Sequence, residues 1–146
     1  MPMSRRLALV ALAAIAVSAI AFDWGAFATP SPHGAKVYFI NLKNGAKVKS
    51  PFLVQFGLSG MGVAPAGIEK PNTGHHHLLI DTKLSAEEMT APMPADAKHL
   101  HFGGGQTETI LELPPGTHTL QLIMGDKDHI PHNPPVYSKK ITITVR

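Results

Sequence analysis

The sequence predicts an all-β fold, an antiparallel, immunoglobulin-like β-sandwich of about seven short strands joined by long loops. Three observations predict this fold. Apolar and polar residues alternate over short segments, and turn-forming residues separate these segments about every 8–12 residues. No segment beyond the N-terminal region has a helical period long enough for a parallel strand–helix–strand unit. The 146 residues, 44% hydrophobic and 16% charged, are typical of one globular domain with at most a short helix.

The first three predicted strands are 36–41, 52–58 and 75–81. The first is rich in β-branched and aromatic residues and is followed by the turn-forming pair Asn44-Gly45. The second begins after Pro51 and places alternate apolar side chains, including Phe52 and Val54, on one face. The third, with the sequence HHHLLID, follows a long loop that is rich in Gly and Pro.

The remaining predicted strands are 99–102, 106–113, 117–124 and 136–145. Before them, Ser85 and Glu88 have the spacing of a capping box, which predicts one or two helical turns within the connection 82–98. Three glycines close the strand 99–102, and the Pro-Pro-Gly segment after Leu113 predicts a hairpin between the next two strands. In the last strand, alternation places Ile141 and Ile143 on the inward face.

The N-terminal region has the pattern of a signal peptide. Residues 1–6 include two arginines, residues 7–22 are apolar except for Ser18, and Ala26-Phe27-Ala28 fits the small-x-small cleavage pattern. We predict cleavage after Ala28, export to the periplasm or secretion, and no membrane association after cleavage. An uncleaved membrane anchor is the alternative, although the apolar run is slightly short for a bilayer span.

This processing would divide the chain into a signal peptide (1–28), a flexible lead-in (29–34) and a β-sandwich domain (35–146).

Composition and the absence of known motifs exclude several functions. The chain has no cysteine, which excludes disulfides, thiolate zinc sites and iron–sulfur clusters. Its net charge is +3 and its lysines are scattered, so no nucleic-acid partner is predicted. No nucleophile elbow, zinc-protease motif or phosphate loop is present, which favours binding over catalysis without deciding whether the protein is an enzyme.

The nine histidines are the strongest compositional signal. Alternation along a strand places His75 and His77 on one face and His76 on the other. His99 and His101 repeat the same spacing. Residues two apart on a strand have side chains about 6–7 Å apart, and two imidazoles at that spacing can bind one ion.

If successive strands run up and down, both pairs and the loop 125–135 meet at one end of the sandwich, with His99 slightly further in. Asp126 and Asp128 in that loop are predicted to orient a ligating histidine. His76 and His118 are predicted to be structural, and His33 to have no role. The predicted metal ligands are His75, His77, His99, His101, His129 and His132.

Neutral imidazoles without thiolates favour Cu(II), Zn(II) or Ni(II). We predict a site for copper or zinc and a role in buffering or delivery of the ion. An alternative is a periplasmic recognition or scaffold domain that binds a small ligand or a protein through its long loops, with structural or pH-sensitive histidines. A small metalloenzyme is a third hypothesis.

Several strings, among them HHHLLID, HLHFGGGQTE and DHIPHNPP, resemble a family of small secreted bacterial proteins known as a domain of unknown function. The resemblance implies an exported β-sandwich without an assigned activity. The opening pattern N-G-A-x-V-x-S-P is also similar to that of CopC-type periplasmic copper-binding proteins, which have an immunoglobulin-like fold. Those proteins bind copper partly through an N-terminal histidine, whereas the predicted cut leaves Thr29 first.

Overall fold

The computed structural model describes residues 27–146, so residues 1–26 of the predicted signal peptide lie outside the described residues. The described residues form nine strands and one 3₁₀ turn, Glu88–Thr90. The strands are β1 (Lys36–Phe39), β2 (Ala46–Val48), β3 (Phe52–Ser59), β4 (Gly62–Val63), β5 (Thr73–Ile80), β6 (His99–His101), β7 (Glu108–Leu111), β8 (Gly116–Gly125) and β9 (Ile141–Val145). None of the helical structure in residues 27–146 is long and apolar enough to cross a membrane.

The strands form two sheets. The smaller sheet has the order β1-β3-β7, and both of its pairings are antiparallel. The larger sheet has the order β2-β9-β8-β5, and two short strands, β4 and β6, also pair with β5. Because β8 occupies one edge of β5, β4 and β6 share its other edge, β4 at its beginning and β6 further along. β5 is therefore an interior strand of the larger sheet.

The main core lies between the two sheets. Val54 and Phe56 of β3 pack in one apolar cluster with Leu78 of β5, Leu122 of β8 and Ile143 of β9. All five are 3% exposed or less. Burial of such side chains stabilises the fold by about 1.5–3 kcal/mol each, so the alternation that predicted these strands also supplies the packing between the sheets.

The outer face of the larger sheet is covered as well. Leu79, Ile123 and Met93 form a second buried cluster there, and Met89 from the 3₁₀ turn packs against it. The predicted capping box is present, because the Ser85 amide donates to Glu88 and the Glu88 amide donates to the Ser85 hydroxyl, at 2.7 and 3.2 Å. The connection 82–98 thus covers the outer face of β5, while the main core buries the inner face of this strand.

The predicted all-β, sandwich-like fold is confirmed, and all seven predicted strands are present. The sequence analysis missed two short strands, β2 and β4. Each pairs in parallel with its neighbour, so the larger sheet is not purely antiparallel. These strands have three and two residues, which is too short for an alternation to be recognised.

The predicted hairpin between 106–113 and 117–124 is wrong. β7 pairs with β3 in the smaller sheet, whereas β8 pairs with β5 and β9 in the larger one. The Pro-Pro-Gly segment therefore carries the chain from one sheet to the other. The alternation of apolar residues is satisfied equally by two neighbouring strands and by two strands that face each other across the core, so the pattern could not distinguish them.

Candidate functional site

β5 directs alternate histidines to the two faces of the larger sheet. His76 points into the main core, where its ring lies 5.1 Å from that of Phe56. His75 and His77 lie on the outer face with ring centroids 4.8 Å apart. Both are 1% exposed, because loops cover the outer face at this point. The alternation predicted from the sequence is confirmed.

Strand register and one loop bring two more imidazoles to this face. β6 runs antiparallel to β5 with His101 directly opposite His77, and the two ring centroids are 5.0 Å apart. The loop after β8 supplies His129, whose ring lies 4.5 Å from that of His101 and 5.1 Å from that of His75. We refer to His75, His77, His101 and His129 as the histidine cluster.

The nitrogen atoms of the histidine cluster converge. One ring nitrogen from each residue can be chosen so that all four lie within 4.8 Å of one another. The Nε2 atom of His75 lies 2.9 Å from Nε2 of His77 and 3.2 Å from Nδ1 of His129. A ring nitrogen carries either one proton or one lone pair, so the Nε2 atom of His75 cannot donate to one neighbour and accept from the other.

Asp126 shapes the loop that carries His129. Its Oδ1 atom accepts hydrogen bonds from the amides of Asp128 and Ile130, at 2.9 and 3.0 Å. Its backbone carbonyl accepts from the His129 amide at 2.9 Å. His129 itself has φ of 66°, a left-handed conformation that costs a non-glycine residue about 1–3 kcal/mol. The contacts of Asp126 therefore hold the His129 backbone in a conformation that it would otherwise rarely adopt.

Glycines beside the histidine cluster leave room for its rings. A Cβ atom on Gly125 would lie 2.8 Å from Nε2 of His77 and 2.9 Å from the terminal methyl group of Met93. A Cβ atom on Gly103 would overlap the ring of His101. These positions therefore require a residue without a side chain so that the rings can keep their orientation.

Three members of the histidine cluster, His75, His77 and His101, have lowered pKa values. Burial, with a smaller contribution from the neighbouring histidines, lowers the pKa of His75 to about 4 and the pKa of His77 to about 2. The pKa of His101 is also lowered, by burial and by His129. At neutral pH these three imidazoles are neutral, and a neutral imidazole is the form that binds metal ions.

Two predicted ligands lie outside the histidine cluster. Nδ1 of His99 is 2.8 Å from an Asp96 carboxylate oxygen, and His99 pairs with Leu79, further along β5 than the His77–His101 pair. His132 is buried between two backbone carbonyls, with Nε2 3.1 Å from the Thr73 oxygen and Nδ1 3.4 Å from the Met124 oxygen. Nδ1 of His99 and both ring nitrogens of His132 thus contact local acceptors, although both residues share the strand or loop of a cluster member.

The other three histidines lie outside the histidine cluster. His76 is fully buried in the core, and His118 contacts an Asp81 carboxylate oxygen through Nδ1 at 2.7 Å and the Pro114 carbonyl through Nε2 at 2.9 Å. His33 is exposed. Asp126 positions a cluster histidine as predicted, but it does so through the backbone of the loop rather than by contacting the ring.

The sequence analysis missed the role of the glycines. The sequence pattern places Gly103 only among the three glycines that close the strand 99–102, and Gly125 only at the start of the loop 125–135. Each adjoins the end of a strand at the histidine cluster, and a glycine next to a predicted ligand could have indicated closely packed rings.

Comparisons with known proteins identify a family. No curated protein sequence matches the chain. The X-ray structure of the endo-beta-1,4-mannanase from Thermotoga petrophila is similar with a TM-score of 0.43 and 18% sequence identity. The similarity covers 77% of this chain and 20% of the mannanase chain, so this protein spans about a fifth of that enzyme's length. A model of the family described as "Domain of unknown function (DUF4399)" matches residues 54–146, which include the whole histidine cluster. The chain therefore belongs to the DUF4399 family.

Proposed function

We propose that this protein is an exported metal-binding protein that holds a transition-metal ion, copper or zinc, at the histidine cluster and buffers or delivers it. The observation that carries the proposal is the convergence of four ring nitrogens to within 4.8 Å of one another. The predicted signal peptide supports export.

Distances support a shared ion rather than four unrelated side chains. Two nitrogens bound to one tetrahedral ion through bonds of about 2.0–2.1 Å lie about 3.3 Å apart. The contacts of His75 with His77 and His129, at 2.9 and 3.2 Å, are close to that separation. An ion at this point would accept lone pairs from nitrogens that cannot all satisfy one another by hydrogen bonds.

The burial of the histidine cluster supports binding and release. His75 and His77 are almost completely buried, whereas His129 is partly exposed and His101 is exposed. An ion would therefore enter between His101 and His129 and reach a floor made of the two β5 side chains. Access from solvent on one side suits a protein that exchanges its ion.

The donor set limits the choice of metal. Four imidazoles provide borderline donors and no negative charge, a combination that suits Zn(II), Cu(II) or Ni(II) better than Ca(II) or Mg(II). Copper and zinc are the ions we propose.

The test is metal analysis of the full chain, expressed without an affinity tag in a host that exports it. We expect one equivalent of ion per chain and, by titration calorimetry, a dissociation constant below about 1 μM for Cu(II) or Zn(II). The His75→Ala/His77→Ala double variant should lose this binding. The His33→Ala variant should bind as the wild type does, because His33 is exposed and lies in the lead-in.

A further variant guards against a folding defect. His101 is exposed, so His101→Ala should keep the circular dichroism spectrum and melting temperature of the metal-free protein while weakening metal binding at least tenfold. Tight binding that survives in both the His75→Ala/His77→Ala and the His101→Ala variants would overturn the proposal. Weak, millimolar binding by the wild type would overturn it as well. Either result would direct attention to ligands of the loop surface.

A further inference from the structure

The segment that follows the predicted cleavage point is bound to the histidine loop. The Thr29 carbonyl accepts a hydrogen bond from the Asn133 amide at 3.1 Å, and the Ser31 amide donates to the Asn133 carbonyl at 3.3 Å. The Ser31 hydroxyl donates to the Pro134 carbonyl at 2.7 Å. Residues 29–31 are thus fixed along the far end of the loop that carries His129.

These contacts aim the Thr29 backbone nitrogen at a buried carboxylate. That nitrogen lies 3.0 Å from Oδ2 of Asp126, and the Thr29 hydroxyl donates to the same oxygen at 2.8 Å. Asp126 is 1% exposed. Within residues 27–146 it forms no ion pair with a side chain, although buried charges are usually paired with an opposite charge.

The two described residues before Thr29 are not buried in the domain. Phe27 is 82% exposed, and Ala28 is only partly buried. A cut between Ala28 and Thr29 would remove no buried apolar side chain among the described residues, and it would convert the nitrogen beside Asp126 into a free amine. The same cut follows independently from the small-x-small pattern of residues 26–28.

We propose that hydrolysis of the Ala28–Thr29 peptide bond completes the fold by supplying the missing cation. Water adds to the Ala28 carbonyl, the C–N bond breaks, Ala28 becomes a carboxylate, and the Thr29 nitrogen takes up protons to become an ammonium group. This ammonium group forms a buried ion pair with Oδ2 of Asp126, while Oδ1 of the same carboxylate continues to hold the amides of Asp128 and Ile130.

The ion pair links processing of the chain to the conformation of the histidine loop. Asp126 also accepts the His129 amide through its carbonyl, so the new N-terminus, the carboxylate and the His129 backbone form one connected group. The inference does not require a bound metal, and its test uses metal-free protein, so it can fail or succeed independently of the proposed function.

The first measurement is the N-terminal residue of the full chain after export in a host with a periplasm. Intact mass and N-terminal sequencing should both give Thr29 as the first residue. Another N-terminus, or a chain that keeps its leader, would overturn the inference.

The second measurement tests the ion pair through the amine itself. Periodate oxidises an N-terminal threonine that has a free amine and leaves a glyoxylyl group without the amine or the hydroxyl. We expect this treatment to lower the melting temperature of the exported protein by about 5 °C or more, because it leaves a buried carboxylate without its cation.

Thr29→Ala is the matched control. An N-terminal alanine has no hydroxyl, so periodate cannot cleave it, and the treated variant also reports any effect of methionine oxidation. The untreated variant measures the loss of the hydroxyl alone.

Asp126→Asn tests the carboxylate partner. In this variant, periodate treatment should lower the melting temperature by much less than in the wild type. If treatment leaves the wild-type melting temperature unchanged, or lowers it equally in Asp126→Asn, the ion pair is refuted.

Discussion

At the residue scale, the histidines separate by the partners of their ring nitrogens. His132 was predicted to be a ligand, yet both of its ring nitrogens face backbone carbonyls. We expect His132→Ala to keep the metal stoichiometry and to lower the free energy of unfolding by about 1–3 kcal/mol, because buried carbonyls lose their partner. Calorimetric titration and urea unfolding of the same variant would check both expectations. Loss of the ion without loss of stability would make His132 a ligand.

His118 gives a second prediction at this scale. Its hydrogen bond with Asp81 raises the pKa of its ring, and the Pro114 carbonyl adds to this effect. The folded pKa therefore lies above 6.5, so the stabilisation is fully present below pH 6.5 and is lost as pH rises through the folded pKa.

We expect His118→Gln to destabilise the protein more at pH 6 than at pH 9. The difference should be at most about 1 kcal/mol, because the Asp81 carboxylate is partly exposed. Urea unfolding at the two pH values measures it, with His33→Gln as the control. A difference that is the same at both pH values would show that His118 acts only as a neutral hydrogen-bonding group.

At the element scale, the end of β8 restricts the ring of His77. A methyl group at position 125 would lie 2.8 Å from Nε2 of His77. We therefore expect Gly125→Ala to weaken metal binding at least tenfold and to destabilise the fold by about 1–3 kcal/mol. Gly62→Ala on β4 is the matched control, because the nearest atom to its Cβ would be 3.4 Å away and its φ is not positive. Equal effects of the two substitutions would contradict the role given to Gly125.

The strands also show what the sequence could and could not predict. The alternation in β5 and β6 was sufficient to place His75, His77 and His101 on one face. It was not sufficient to separate His99 from them, since His99 shares that face and differs only in its distance along the strand and in its bond to Asp96. The position of His129 depends on the hydrogen bonds of Asp126 across its loop, and no periodic pattern encodes such contacts.

At the scale of the whole molecule, the buried histidines make the metal-free protein sensitive to acid. Burial lowers the pKa of His75 and His76 to about 4 and that of His77 to about 2. The unfolded chain binds protons at these residues below about pH 6.5, whereas the folded chain does not, so stability falls as pH falls.

We expect each of these histidines to remove about 1.4 kcal/mol of stability per pH unit between pH 6.5 and pH 4. Chemical unfolding of metal-free protein across this range measures the slope. His76→Phe, which keeps a ring in the core, should make the slope shallower, because it removes one group that takes up a proton only in the unfolded chain. A flat profile between pH 6.5 and pH 4 would be inconsistent with neutral buried rings.

The surroundings of His77 on β5 affect how long an ion stays bound. Nδ1 of His77 is buried and has no hydrogen-bond partner among residues 27–146. When Nε2 of this ring binds an ion, its proton must reside on Nδ1, where no acceptor orients the ring. Ligating histidines normally donate that proton to a neighbour, and loss of the neighbour weakens metal affinity by about 10- to 100-fold. We therefore expect a short residence time for the ion, which suits a carrier that hands its cargo to a tighter site.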